Sequence, residues 1–157
     1  MALTPIQPYR PNGLGVVTAY MPKAAATSFR VGSPVIATAG LAVEAAADPA
    51  LNTILGIAQS DMATAGYGST DCYMSRIDTP DQWVGCVDNS GSFGTGTSAV
   101  AQRGTRYGIA KDGTSGLWYI DLAETTAVRL RVESLIDPAG TVQGRVAFTW
   151  LQLDNAL

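Results

Sequence analysis

The sequence lacks the residues that most catalytic and metal sites require. It contains no histidine, which excludes Ser-His-Asp and Cys-His arrangements and removes the commonest transition-metal ligand. Its two cysteines, Cys72 and Cys86, are too few for a structural zinc site, and it has no Gly-Lys-Ser/Thr phosphate-binding loop. We therefore predict a protein that is not an enzyme and that uses neither a cofactor nor a metal ion.

Charge is also scarce. Charged residues make up 15% of the chain, below the roughly 25% of typical soluble domains. The 10 basic residues are outnumbered by 13 acidic ones and form no cluster of the kind that nucleic acids require. We expect no nucleic-acid partner. Weakly charged faces favour burial against a protein partner, although a soluble domain rich in alanine and glycine would have the same composition.

Long apolar runs are absent as well. No stretch approaches the roughly 18 apolar residues of a membrane span, so we expect no membrane partner. The first residues, MALTPIQPYRPNG, lack the charged-then-apolar pattern of a secretory signal, which favours a protein made in the cytosol. There the two cysteines are expected as free thiols. A disulfide would require the strands that carry them to pair as a hairpin.

Residues 1–13 are predicted to form an extended arm. They include three prolines, and proline fixes φ and removes an amide donor, which excludes a helix or a central strand. The apolar side chains along the arm could be buried in a groove of a partner. The alternative interpretation is a frayed N-terminal tail. The candidate docking residues of the arm are Leu3, Ile6, Tyr9 and Arg10.

Residues 14–157 are predicted to form a single, mainly β domain. Short β-type runs alternate with turn residues, which indicates a small antiparallel β-barrel or β-sandwich with little helix. Asp112–Gly113 is a hairpin-type turn. Residues 128–135 alternate with a period of two, and residues 145–153 are apolar on both faces, which predicts a central strand or one packed in an interface. Residues 88–99, DNSGSFGTGTSA, are predicted to be a flexible loop.

The three tryptophans, Trp83, Trp118 and Trp150, are predicted mainly as packing residues. Trp118 and Tyr119 are adjacent, so on a strand they face opposite ways, and at least one is expected at an outer surface or an interface. The candidate interface aromatics are Trp118, Tyr119 and Trp150.

Two segments carry a family resemblance. Residues 28–61 contain a Gly-x-Pro-Val strand, an alanine-rich strand and an ILGIA strand, and residues 106–151 contain the stretch DPAGTVQGRV. Together they span about half of the chain. They resemble the capsid decoration proteins of tailed phages, also called cement or head-auxiliary proteins.

The resemblance implies a structural role in a virion. Such a protein binds the outer surface of an expanded capsid as a dimer or trimer and bridges neighbouring major capsid subunits. It implies assembly in the host cytoplasm, the major capsid protein as a partner, and self-association, for which we prefer a homotrimer to a homodimer. The arm would then lie on the capsid lattice.

Two other functions remain open at this stage. A head- or tail-fibre module that binds a host receptor or glycan is suggested by Trp83, Trp118 and the loop 88–99, because exposed tryptophans form sugar platforms. A small hydrolase would need two carboxylates facing each other across a pocket, for which Asp78 and Asp81 are the candidates.

Overall fold

The computed structural model describes residues 3–9, 18–24, 27–46, 48–50, 53–61, 71–77 and 82–151. The strands in chain order are β1 (Gln7–Tyr9), β2 (Thr18–Pro22), β3 (Pro34–Thr38), β4 (Leu41–Glu44), β5 (Ile54–Ala58), β6 (Asp71–Arg76), β7 (Gln82–Asp88), β8 (Arg106–Lys111), β9 (Trp118–Asp121), β10 (Leu130–Leu135) and β11 (Arg145–Trp150). The helical structure in these ranges is one 3-10 turn at Val100–Gln102. No helix in the described residues is long and apolar enough to cross a membrane. The mainly β fold is thus confirmed.

The larger sheet closes into a five-stranded barrel in the order β7-β11-β10-β8-β9. Closure depends on a short parallel contact between β7 and β9, in which Val87 pairs with Ile120 and Asp88 with Asp121. β11 lies between β7 and β10, as its apolar faces predict. β8 and β9 form the antiparallel hairpin predicted from Asp112–Gly113.

The barrel interior follows from alternation along its strands. Leu130 and Val132 of β10 lie opposite Trp150 and Phe148 of β11, and all four are buried. Since inward-facing residues recur every second position, large apolar side chains from each strand meet in one core. Further members of this core are Ile6, Trp83, Val87, Ile109, Trp118, Ile120 and Val146.

The second sheet has the order β2-β6-β5-β3-β4 and a small core of its own, which includes Phe29, Val35, Cys72 and Met74. Strand β5 of this sheet contributes side chains to both cores. Ile54 and Ile57 belong to the barrel core, whereas Leu55 and Ala58 belong to the core of the second sheet. The two sheets therefore pack through an apolar layer.

Polar contacts reinforce this packing at what we term the junction, defined by Glu44 and Arg129. The Glu44 carboxylate accepts hydrogen bonds from Ser33 Oγ at 2.8 Å and from the indole Nε1 of Trp118 at 2.9 Å, and Lys111 Nζ lies 2.6 Å from its other oxygen. Ser33 and Glu44 come from the second sheet, and Trp118 and Lys111 from the barrel.

Arg129 makes the second set of junction contacts. Its guanidinium donates to the backbone carbonyls of Asp48, at 2.8 Å, and of Pro49. Asp48 in turn accepts the backbone N–H of Ile109 at 3.1 Å. Burial, which outweighs that hydrogen bond, raises the pKa of the Asp48 carboxyl, and nearby Glu124 adds to the rise.

The cysteines lie in different sheets, Cys72 on β6 and Cys86 on β7, and both are buried and free. The hairpin that a disulfide would have needed does not form. Burial raises the pKa of the Cys72 thiol to about 11, so this group stays protonated and unreactive at neutral pH.

Candidate docking surfaces

Two long loops meet at one end of the barrel, which we term the loop end. Residues 89–104 follow β7, and residues 137–144 precede β11. β7 and β11 are antiparallel, with Arg145 opposite Cys86, so the end of β7 lies beside the start of β11. The chain order thus places both loops at the same end.

Asp88 organises the loop end from inside. Its fully buried carboxylate accepts the backbone N–H groups of Asn89 at 2.8 Å and of Gly94 and Gly96 at 3.0 Å, and the side-chain amide of Gln143 at 2.6 Å. Burial opposes ionisation, but these four donors outweigh it and hold the pKa of Asp88 below its usual value. One carboxylate therefore ties both loops to the barrel.

Further hydrogen bonds join the loops to each other. Ser98 donates its N–H to the carbonyl of Thr141 at 3.0 Å and accepts the N–H of Gly140 at 2.7 Å. Thr97 and Val142 form an antiparallel bridge. Residues 88–99, predicted to be a flexible loop, are thus held at several points by residues distant in sequence.

The outer surface of the loop end carries exposed apolar side chains and few charges. Phe93, Val100 and Val142 expose 47%, 62% and 41% of their surface. Within residues 89–104 and 137–144 the charged residues are Arg103 and Asp137, and Asp137 is buried and pairs with Arg145 at the start of β11. Exposed apolar groups on loops that are fixed by hydrogen bonds are typical of interaction sites. Their burial has a small desolvation penalty, and little conformational entropy is lost on binding.

A second exposed apolar feature lies on the second sheet. Tyr20 of β2 is 72% exposed and its ring packs on Tyr73 of β6, with the centroids 4.8 Å apart. Leu41, at the start of β4, is 38% exposed. Lys23 lies just beyond β2.

The predicted docking arm does not lie free over the described residues 3–9. Ile6 is 1% exposed and belongs to the barrel core, while Leu3 and Tyr9 are partly buried. Residues 7–9 form β1, which pairs with β7. Arg10 lies outside the described residues. The arm was predicted to bury its apolar side chains in a partner, but the structure buries Ile6 in the chain itself.

The candidate interface aromatics are also buried in the chain. Trp118, Tyr119 and Trp150 are 1%, 3% and 8% exposed, so the expectation that Trp118 or Tyr119 is exposed is wrong. Trp118 fills the barrel and reaches Glu44, and Phe93 of the loop end packs edge-on against Tyr119, with the ring centroids 5.7 Å apart. The two adjacent rings do face opposite ways, but each side of β9 is covered.

The other chemistries gain no support from the described residues. Trp83 is fully buried, so neither it nor Trp118 offers a platform for a sugar. No group of three or more His, Cys, Asp or Glu side chains in the described ranges could hold a metal ion. Asp78 and Asp81 lie outside those ranges, so the carboxylate hypothesis stays untested there.

Comparison with known proteins identifies no relative: no protein-family model, curated protein or solved structure matches the chain. The loop end was missed by sequence reasoning, although one signal was present. The long, almost uncharged stretch from Asn89 to Gly104 contains a phenylalanine and a valine among glycine and serine residues.

Proposed function

We propose that this chain is a structural virion protein that binds the outer surface of a phage capsid and bridges neighbouring capsid subunits. The single observation that carries the proposal is the loop end, a surface with exposed apolar side chains and few charges whose loops are held by a buried carboxylate. A protein that acts by contact needs area and rigidity rather than reactive groups. Burying apolar surface favours association, and a surface that is already held loses little of that gain to ordering.

The position of the family resemblance supports the same surface. The stretch DPAGTVQGRV, residues 137–146, is the most recognisable piece of the likeness to decoration proteins, and it forms one of the two loops of the loop end. Val142, in its middle, is 41% exposed. The resemblance alone would not select this surface; the exposed side chains give a physical reason to prefer it.

The junction supports a bridging role. The Glu44 and Arg129 contacts join the two sheets, so the barrel and the second sheet each present an outer face on one connected body. Several copies held together would attach at several points, and effective concentration then raises the overall affinity without tighter single contacts. The proposal accordingly includes a homo-oligomer on the outer surface of a virion.

Rebinding to capsids tests the proposal. Purified full-length protein is mixed with expanded capsids that have been stripped of it, and co-sedimentation is measured against unexpanded procapsids as the control. We expect saturable binding to expanded capsids and weaker binding to procapsids. Absence of binding to both particles, with a protein that is folded by circular dichroism, would contradict the proposal.

A further inference from the structure

Three arginines lie beside the loop end, and we term them the basic rim: Arg103, Arg106 and Arg131. The 3-10 turn that begins at the exposed Val100 is followed directly by Arg103, which is exposed as well. β8 begins three residues later at Arg106, and Arg131 of β10 lies directly opposite it. The short segment from Val100 to Arg106 therefore connects the exposed apolar groups of the loop end to a pair of facing arginines.

The facing arginines lie on the outer face of the barrel. Their neighbours along the two strands, Tyr107 and Leu130, also lie opposite each other and pack in the barrel core. Because successive residues of a strand face opposite sides, Arg106 and Arg131 face outward. Residues directly opposite each other on one face have their Cβ atoms about 5 Å apart, and two like charges placed in this way destabilise a sheet.

The described residues neutralise only part of this charge. Arg131 donates to the Glu133 carboxylate at 2.9 Å, and the same oxygen accepts the hydroxyl of Thr149 at 2.8 Å. The side chains of Arg103 and Arg106, by contrast, have no hydrogen-bond or ion-pair partner within the described part of the chain. Every other basic side chain in the described ranges has a partner; these are Lys23, Arg30, Arg76, Lys111, Arg129, Arg131 and Arg145.

A second acid, Glu124, lies close to this face without pairing with the basic rim. A Cβ at Gly108, the third residue of β8, would lie 2.4 Å from Glu124 Cγ, so this side chain covers the outer face there. Its carboxylate accepts three hydrogen bonds of 2.6 to 2.7 Å from Thr126 and Ala127 in its own turn. The positive charge of the two unpaired arginines therefore has no ion pair on the chain to compensate it.

We propose that the basic rim binds an acidic segment of the partner protein, whose carboxylates pair with Arg103 and Arg106 while its apolar side chains pack on the loop end. Arginine is enriched in protein interfaces, and its planar guanidinium binds a carboxylate through two parallel hydrogen bonds. A charged rim beside an uncharged centre is the usual organisation of such a surface. The inference rests on the proposed function and adds the chemistry of the partner: the capsid surface presents carboxylates beside an apolar patch.

A protein segment fits this surface better than a nucleic acid does. The basic rim holds three arginines on a chain with a net charge of −3, whereas nucleic-acid sites require an extended basic field. The adjoining loop end offers Phe93, Val100 and Val142, which can pack against apolar side chains but not against phosphates.

Peptide binding tests the basic rim. Full-length protein is titrated into a fluorescein-labelled oligoglutamate peptide, and fluorescence anisotropy is measured at low ionic strength, where screening is weak. A labelled oligothymidine of the same charge is the second probe. The rim variant is Arg103→Gln with Arg106→Gln, and the matched control, Lys23→Gln with Arg30→Gln, loses the same charge outside the rim. Thermal unfolding checks each protein, and the rim variant should melt no lower than the wild type because it loses a like-charge pair.

We expect the wild-type protein and the control to bind the peptide with similar affinity, and the rim variant to bind it at least about tenfold more weakly. Absence of peptide binding by the wild-type protein, or equal affinities of the wild type and the rim variant, would overturn the proposal. Tighter binding of oligothymidine than of the peptide would overturn it as well, because the rim would then be a nucleic-acid site.

The capsid assay separates the rim from the proposed function. A rim variant that binds expanded capsids as tightly as the wild type does removes the rim from docking and leaves the proposed function standing. A wild-type protein that binds the peptide through the rim but binds neither expanded capsids nor procapsids leaves the rim standing and removes the proposed function.

Discussion

Two carboxylates, the partly buried Glu44 and the fully buried Asp88, hold the molecule together in different ways. Glu44, at the junction, has a cation within reach, Lys111 at 2.6 Å, and also accepts from Trp118 and Ser33. Asp88, at the loop end, has no cation among its hydrogen-bond partners in the described residues. Its partners are three backbone N–H groups and one amide.

The difference supports the loop end as the proposed docking surface. A carboxylate satisfied by neutral donors organises two loops without needing a lysine or arginine of its own, so Asp88 adds no cation to this end of the barrel. The junction joins the two sheets within the chain and is not the proposed docking surface. The ion pair between Glu44 and Lys111 therefore does not have to be desolvated when a partner binds. Sites for other proteins are depleted in charge at their centre, and the loop end has that property.

The largest loss of stability is expected for Asp88→Ala. The substitution leaves four donors without their acceptor in a buried place, and we expect a loss of about 3–5 kcal/mol in the free energy of unfolding. Chemical denaturation followed by circular dichroism measures it. The matched control is Asp112→Ala, which removes an acceptor of two backbone N–H groups in the exposed β8–β9 turn and should cost much less. Equal losses would show that Asp88 is not a special anchor.

The junction should be less sensitive. Glu44→Ala removes the acceptor of Trp118 and Ser33, and we expect a loss of about 2–3 kcal/mol. Glu44→Gln keeps a carbonyl oxygen for both donors and loses only the partly exposed ion pair with Lys111, so it should cost less than about 1 kcal/mol. If the two variants unfold at the same denaturant concentration, the hydrogen bonds to Trp118 and Ser33 contribute little.

Acid should weaken the loop end. Donors hold the pKa of Asp88 below its usual value, and the Arg145 guanidinium does the same for Asp137 in the second loop. A carboxyl with a lower pKa in the folded state stabilises the fold above its unfolded pKa of about 3.9, and this stability is lost as the pH falls through the folded pKa. The melting temperature should therefore be flat above about pH 5 and fall below about pH 4.

Asp88→Asn isolates one part of that dependence. The amide does not titrate, so the fall in melting temperature on acidification should be smaller in this variant than in the wild-type protein. A parallel fall in both proteins would assign the acid sensitivity to other carboxyls.

The smallest expected effect is at Asp48. Burial raises the pKa of this carboxyl, so its charge is unfavourable in the folded protein at neutral pH. Asp48→Asn keeps an acceptor for the Ile109 N–H and tolerates the backbone φ of 47°. We expect a gain within about 1 kcal/mol at pH 7, measured by thermal unfolding. A clear loss would mean that the ionised form is needed at the junction.

Local patterns predicted much of the fold. The alternation of residues 128–135 and the apolar run from residue 145 correctly gave two paired strands of the barrel, because period-two patterning depends on neighbours along the chain. The turn at Asp112–Gly113 was predicted for the same reason. Neither prediction needed knowledge of distant contacts.

The loop end depends on contacts between residues that are distant in sequence, and these contacts could not be predicted from local patterns. Asp88 and Gln143 are 55 positions apart, and without their hydrogen bond residues 88–99 look flexible. Ile6 is buried because β9 leaves half of β7 unpaired, a property of closure rather than of composition. Tyr119 is covered because Phe93 packs against it.

The most direct test of the central claim is a pair of charge insertions measured in the capsid-binding assay. Val100→Asp adds a negative charge at the loop end, and Thr38→Asp adds the same charge at an exposed position of β3 in the second sheet. Both are surface changes, so folding is expected to be retained and is checked by thermal unfolding. We predict that Val100→Asp weakens binding to expanded capsids by about tenfold or more while Thr38→Asp binds like the wild-type protein. Equal affinity of the two variants would contradict the assignment of the loop end as the docking surface.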